Sequence, residues 1–150
     1  MANLLNRARR ILDVRRIEAA IRAAEVRSSG EVRVSVSPFF WGDVRRAGER
    51  AFERLGMMRT REHNGVLFFI VPSRRAFVVL GDRGIHGRVG DELWHRVVAA
   101  MSPYFARHEF TEGVLLGIEL VADALAQHFP PDPTSNPNEL PDSIDFGGGS

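Results

Sequence analysis

Six residues in three stretches carry the chemistry this sequence can offer: Glu31, His63 with Asn64, and Asp82-Arg83 with His86. The last three lie within Gly81-Asp82-Arg83-Gly84-Ile85-His86-Gly87, where three glycines surround an acid, a guanidinium and an imidazole. Glycine permits tight turns and close approach of other groups, so the stretch reads as a loop presenting its charged side chains. Glu31, Asn64 and Asp82 are carboxylates with an amide oxygen, a set that suits a hard divalent cation such as Ca²⁺ or Mg²⁺. A carboxylate with an imidazole suits a transition metal or proton transfer. No metalloprotease, EF-hand, P-loop or serine-hydrolase spacing is present.

Separate elements must carry these residues to one place. Ile11, Val14, Ile17, Ile21 and Ala24 recur at three- and four-residue steps and predict an amphipathic helix over residues 7–26. Ser28-Ser29-Gly30 ends it. Glu31 to Val36 alternates, with Val32, Val34 and Val36 on one face, and predicts a strand with one apolar side. A second helix fits Asp43 to Leu55, with Asp43 as N-cap. Val66 to Val71 is wholly apolar between turn signals and predicts a central strand buried on both faces. Pro72 to Arg75 turns the chain into a third strand, Ala76 to Leu80, antiparallel to the second. A helix over residues 88–101 follows, broken by Pro103, and a last helix spans residues 111–128. Gly113 and Gly117 on that last helix predict a close approach to a neighbour.

The order is α-β-α-β-β-α-α, an α/β fold with a small mixed sheet sandwiched by helices. A right-handed crossover through the second helix makes the first two strands parallel. Their first residues then share an edge, and the third strand runs back to that edge. Glu31, His63, Asn64, Asp82, Arg83 and His86 thus converge on one rim, toward which the helix starting near Gly87 directs free N–H groups suited to an anion. Phe39, Phe40 and Trp41 lie at the opposite end, where their area favours burial against helices. Exposed, they form a lip for a protein partner and give the alternative reading, a non-catalytic interaction module.

Of the 150 residues 44% are hydrophobic and 26% charged, which fits one globular domain over residues 1–129. A stretch rich in Pro, Asp, Asn and Gly predicts an extended or disordered tail over residues 130–150, with Asn138 to Asp142 placed to dock on the body. No apolar run reaches the roughly 20 residues of a membrane helix. The basic start lacks the apolar core of a secretory signal, so the cytoplasm is the expected location. A net charge of +1 argues against general nucleic-acid binding. All twenty basic residues are arginine, which excludes lysine chemistry, and the absence of cysteine excludes disulfides and thiolate sites.

Several short motifs in fixed order are similar to the TPM domain family. They are Glu25, Ser28-Ser29-Gly30-Glu31-Val32, Asn64-Gly65-Val66-Leu67 and Gly81-Asp82-Arg83-Gly84-Ile85. Trp94, Tyr104-Phe105, Phe110, Gly113-Val114 and Gly117-Ile118 continue the likeness over about residues 10–128. The resemblance implies a mixed, Rossmann-like α/β sandwich. It also implies the family's reported properties, an acid phosphatase activity in a thylakoid-lumen member and calcium binding in bacterial ones. For the implied hydrolysis of a small phosphorylated substrate, Asp82 and Glu31 are expected to hold the metal, Arg83 to contact the phosphate and His63 or His86 to supply the acid. Many bacterial members are exported or membrane-anchored, and this chain resembles a stand-alone branch. Where many members have an acidic residue before the Asn-Gly pair, this chain has His63.

Overall fold

The computed structural model describes residues 11–38, 41–131 and 140–147. Helix α1 (Val14–Arg27), strand β1 (Glu31–Val36), helix α2 (Val44–Arg54) and strand β2 (Gly65–Val71) come first. Strand β3 (Ala76–Gly81) and helices α3 (Arg83–Val89), α4 (Glu92–Ala106) and α5 (Phe110–His128) follow. β2 is central, with β1 parallel to it and β3 antiparallel, as the apolar run and the crossover rule predict. Glu31 pairs with Gly65, and Asp82 N donates to Gly65 O at 2.9 Å, so the three residues form one row across the rim.

Helices cover both faces of β2. Val32, Val34, Val66, Phe68 and Ile70 pack toward α1, α4 and α5, while Leu67, Phe69 and Val71 pack toward α2. Burying a side chain such as Phe68 contributes about 1.5–3 kcal/mol. A Cβ at Gly117 would stand 2.6 Å from Met101 Sδ and 2.8 Å from Phe68, so this glycine lets α5 lie close against α4 and the sheet.

Four local expectations change. The expected first helix is broken at residues 12–13 and Val14 begins a new one, because Asp13 is extended and its side chain accepts from Arg16 N; residues 7–10 lie outside the described residues. The glycine-rich stretch is helix α3 rather than a loop, with Asp82 as its N-cap, so the first N–H groups at the rim belong to Arg83 and Gly84 and not to residues near Gly87, and both are taken, by Asp82 Oδ1 and His63 O. Pro103 lies inside α4, which continues through Ala106. The ring of Phe105, packed on Phe77 and Phe110, and the bond from Ser102 Oγ to Val98 O help hold that last turn. Trp41 stands beside Gly42, where φ is +96°, and is 77% exposed rather than buried; Phe39 and Phe40 lie outside the described residues.

The second face of β1 is polar, yet Glu31, Arg33 and Ser35 are all buried. The stretch 140–147 covers it. Val36 N donates to Asp145 O at 2.7 Å and Asp145 N to Val34 O at 2.9 Å, a parallel bridge on the open edge of β1. Ile144 enters the core beside α1, and its N–H donates to Glu18. The Asp145 carboxylate accepts from Ser35 Oγ at 2.8 Å and from Arg54 at 2.7 Å. Burial pushes that carboxyl up, but these donors outweigh it and hold it below its ordinary value. Asn138 and Glu139 of the expected docking stretch lie outside the described residues, whereas Leu140 packs on the α2 side.

Candidate functional site

Two polar clusters adjoin at the rim. The first is a chain of three side chains. Asp82 Oδ1 accepts from Arg83 N at 2.8 Å, which starts α3. Its Oδ2 lies 3.1 Å from His63 Nδ1, and His63 Nε2 lies 2.9 Å from the Arg83 guanidinium. A guanidinium only donates, so Nε2 accepts and the ring proton sits on Nδ1, donating to Asp82. Asp82 is buried, His63 half-buried and Arg83 exposed, so a carboxylate–imidazole–guanidinium line runs from the interior to solvent.

Backbone geometry fixes that line. His63 adopts a left-handed conformation, φ +51°, in which His is enriched among non-glycine residues. Its carbonyl accepts from Gly84 N at 2.8 Å. A Cβ at residue 84 would lie 2.2 Å from Glu62 O and 2.5 Å from His63 O. Glycine at this position is what lets α3 begin against the loop that carries His63.

The second cluster is acidic. Glu31 opens β1 and is fully buried, and Glu25 from the last turn of α1 hydrogen-bonds to it and to Asp142. Burial foremost, then the hydrogen bond to Asp142 and the charge of Glu31, push the Glu25 carboxyl from 4.5 to about 10. Glu25 therefore keeps its proton at neutral pH. Asn64 joins this cluster to the loop, since its carbonyl accepts from Glu31 N at 3.4 Å. Its own N–H donates to Thr60 Oγ1, and its Nδ2 donates to Ser29 Oγ, which in turn donates to Glu62. Asn64 Oδ1 is buried with no hydrogen-bond partner among the described residues.

Of the six expected site residues, the structure brings His63, Asp82 and Arg83 into contact. Glu31 and Asn64 lie on the same rim, but the Glu31 side chain meets Glu25. His86 lies one turn further along α3, where its Nδ1 accepts from Trp94 Nε1 at 3.3 Å. Among the described residues no three His, Asp or Glu side chains stand in metal-holding geometry. The acids at β1 instead hydrogen-bond to one another through the proton on Glu25.

A family model described as the TPM domain matches residues 1–124. The chain belongs to the TPM domain family. It is similar to the BA42 protein of the psychrophilic bacterium Bizionia argentinensis, solved by NMR, at 35% identity and a TM-score of 0.82. That likeness covers 89% of this chain and 92% of BA42. The N-terminal domain of a protein from P. gingivalis shares the fold at 22% identity and a TM-score of 0.60, over 76% of each chain. No curated protein matches. Among its described residues this TPM domain has no helix long and apolar enough to cross a membrane.

Reasoning from residue types overlooked two members of the TPM domain's rim. The apolar steps of α1 at Ile17 and Ile21 continue onto Glu25, and an acid on an apolar stripe is a signal for buried chemistry. Asp142 had no such signal, because it belongs to a segment without periodicity.

Proposed function

We propose that this TPM domain binds a divalent cation, Ca²⁺ or Mg²⁺, where β1 and β2 begin. Glu31 and Asn64 Oδ1 would supply its first oxygens, Glu25 and Asp142 would close on the ion as Glu25 gives up its proton, and Asp82 would join only on release by His63. The observation that carries the reading is Asn64 Oδ1, a fully buried acceptor without a hydrogen-bond donor among the described residues. Leaving such a group unsatisfied costs about 1–3 kcal/mol, which a cation recovers. The donor set is all oxygen, the chemistry of a hard cation. The test is a thermal melt of metal-stripped protein with Ca²⁺, Mg²⁺, Mn²⁺ and Zn²⁺ added in turn. A cation at about 100 times its dissociation constant stabilises by about 2.7 kcal/mol. The expected shift comes from Ca²⁺ or Mg²⁺ and disappears in Glu31→Gln. No shift from any of the four refutes the reading.

The Asp82–His63–Arg83 line favours a second reading, hydrolysis of phosphate monoesters. Arg83 at the exposed end contacts the phosphate, and Asp82 orients the imidazole as carboxylates do in other hydrolytic sites. Water forms the new P–O bond, the ester P–O bond breaks, and the departing oxygen takes a proton from His63 Nε2. That proton requires the imidazolium, with Arg83 drawn away onto the phosphate. Hydrolysis of p-nitrophenyl phosphate should fall by about 10²–10⁴-fold in His63→Asn. Equal rates for the two proteins would remove His63 from the chemistry.

A further inference from the structure

The sheet has two edges, and the chain closes only one of them among its described residues. β1 is bridged by Asp145, whereas β3 is the last strand on its side. The register of β3 shows which of its backbone groups are left over. Asp82 N bonds to Gly65 O, so Asp82 and Gly65 form a hydrogen-bonded antiparallel pair. In such a ladder alternate residues bond inward, which assigns Leu80, Val78 and Ala76 to β2. The N–H and C=O groups of Phe77, Val79 and Gly81 therefore point away from the sheet.

They point into a groove. All three residues line a cavity of about 640 Å³ between α2 and α4. The α2 wall carries Glu49 and Glu53, four residues apart and both exposed, and the α4 wall carries Trp94 and Val98. The groove's charged side chains are three carboxylates, Glu49, Glu53 and Asp91, against the single guanidinium of Arg45. None of the four makes an ion pair among the described residues. Exposed strand edges are usually blunted by covering segments or by charge repulsion, and here the walls hold a slot open instead.

We propose that this edge takes an extended peptide from a partner protein as a fourth strand, one in which basic and apolar residues alternate. Successive side chains of an added strand face opposite walls. Basic residues would then meet Glu49 and Glu53, while apolar ones cover Trp94 and Val98. The peptide backbone bonds to Phe77, Val79 and Gly81, the mode in which main-chain bonds give affinity and alternate pockets give specificity. This site is separate from the cation and phosphate readings of the rim.

The probe is a blocked, dye-labelled hexapeptide of alternating arginine and valine, titrated into the full chain. Hydrogen exchange is read by NMR. At saturation the amides of Phe77, Val79 and Gly81 should exchange about tenfold or more slowly, while those of Val78 and Leu80 change little. N-methylation of one alternate set of peptide amides should abolish binding, and methylation of the other set should leave it. The Glu49→Arg/Glu53→Arg double variant should lose about tenfold in affinity for this peptide and prefer its glutamate–valine counterpart. Binding that leaves the three amides unprotected, or that survives both methylation patterns, overturns the proposal. Protection that appears without peptide at high protein concentration, with a dimer in sedimentation, assigns the edge to a second copy and overturns it too.

Discussion

Glu25→Gln removes a proton that the folded chain holds and the unfolded chain releases. Unfolded, this carboxyl titrates near 4.5; folded, burial and the neighbouring acids raise it to about 10. Between those values the native state binds one proton more than the unfolded state, so stability falls as pH rises. The contribution is fully present below 4.5 and is lost progressively up to about 10. Each pH unit in that window is worth up to about 1.4 kcal/mol, so from pH 5 to pH 8 the wild-type protein should lose up to about 4 kcal/mol through this group. Glutamine keeps the shape and a hydrogen-bond donor without the titration. The assay is urea unfolding of both proteins in chelator at pH 5, 6, 7 and 8 and constant ionic strength. The variant should gain on the wild type steadily as pH rises. Asp145 does not interfere, because its depressed carboxyl contributes stability that is lost only as pH falls below its ordinary 3.8. Stability curves that run parallel over the whole range would refute the claim that Glu25 is buried with its proton.

Gly84→Ala should destabilise the chain by about 1–3 kcal/mol in thermal melts, since the added carbon meets two backbone carbonyls. It should also disturb the His63 ring resonances by displacing α3 from the loop. Asp145→Ala leaves Ser35 and Arg54 without their acceptor and should cost about 1–3 kcal/mol, with faster hydrogen exchange at Val36 N. Gly117→Val drives a branched side chain against Met101 and Phe68, and an overpacking loss of about 1–3 kcal/mol in urea unfolding is expected.

The sheet was legible because its signals are local. The unbroken run from Val66 to Val71 marks a strand covered twice, and the loop lengths leave few ways to connect its neighbours. The convergence of His63, Asp82 and Arg83 followed from topology alone. Helix limits were less legible where one side chain decides them. Asp13 begins α1 by capping it, and Asp82 begins a helix in a glycine-rich stretch where composition favours a turn. Pro103 shows tertiary packing overriding propensity, since Phe105 buried at the end of α4 outweighs a missing N–H. The acid cluster was hidden for another reason. Glu25, Glu31 and Asp142 come from three separate stretches, and the hydrogen bond from Glu25 to Asp142 exists only once residues 140–147 lie on β1. His86 was drawn to the rim by its place in sequence, but one helical turn carries it to Trp94 instead.

The bridge at Asp145 also ties the state of the sheet to progress of synthesis. Ser35 and Asp145 are 110 positions apart, so a ribosome must pass residue 145 before the pair can form. A nascent chain that has reached only α5 has every described strand and helix, yet no described residue covers either edge of its sheet. The same surface returns in any copy clipped ahead of residue 140. Bare edges recruit other strands, so unfinished or cut copies should be the ones that clump or are captured by chaperones. Residues 140–147 thus act as a late seal, and whether β1 is covered reports whether a given molecule has been made and kept as far as this stretch.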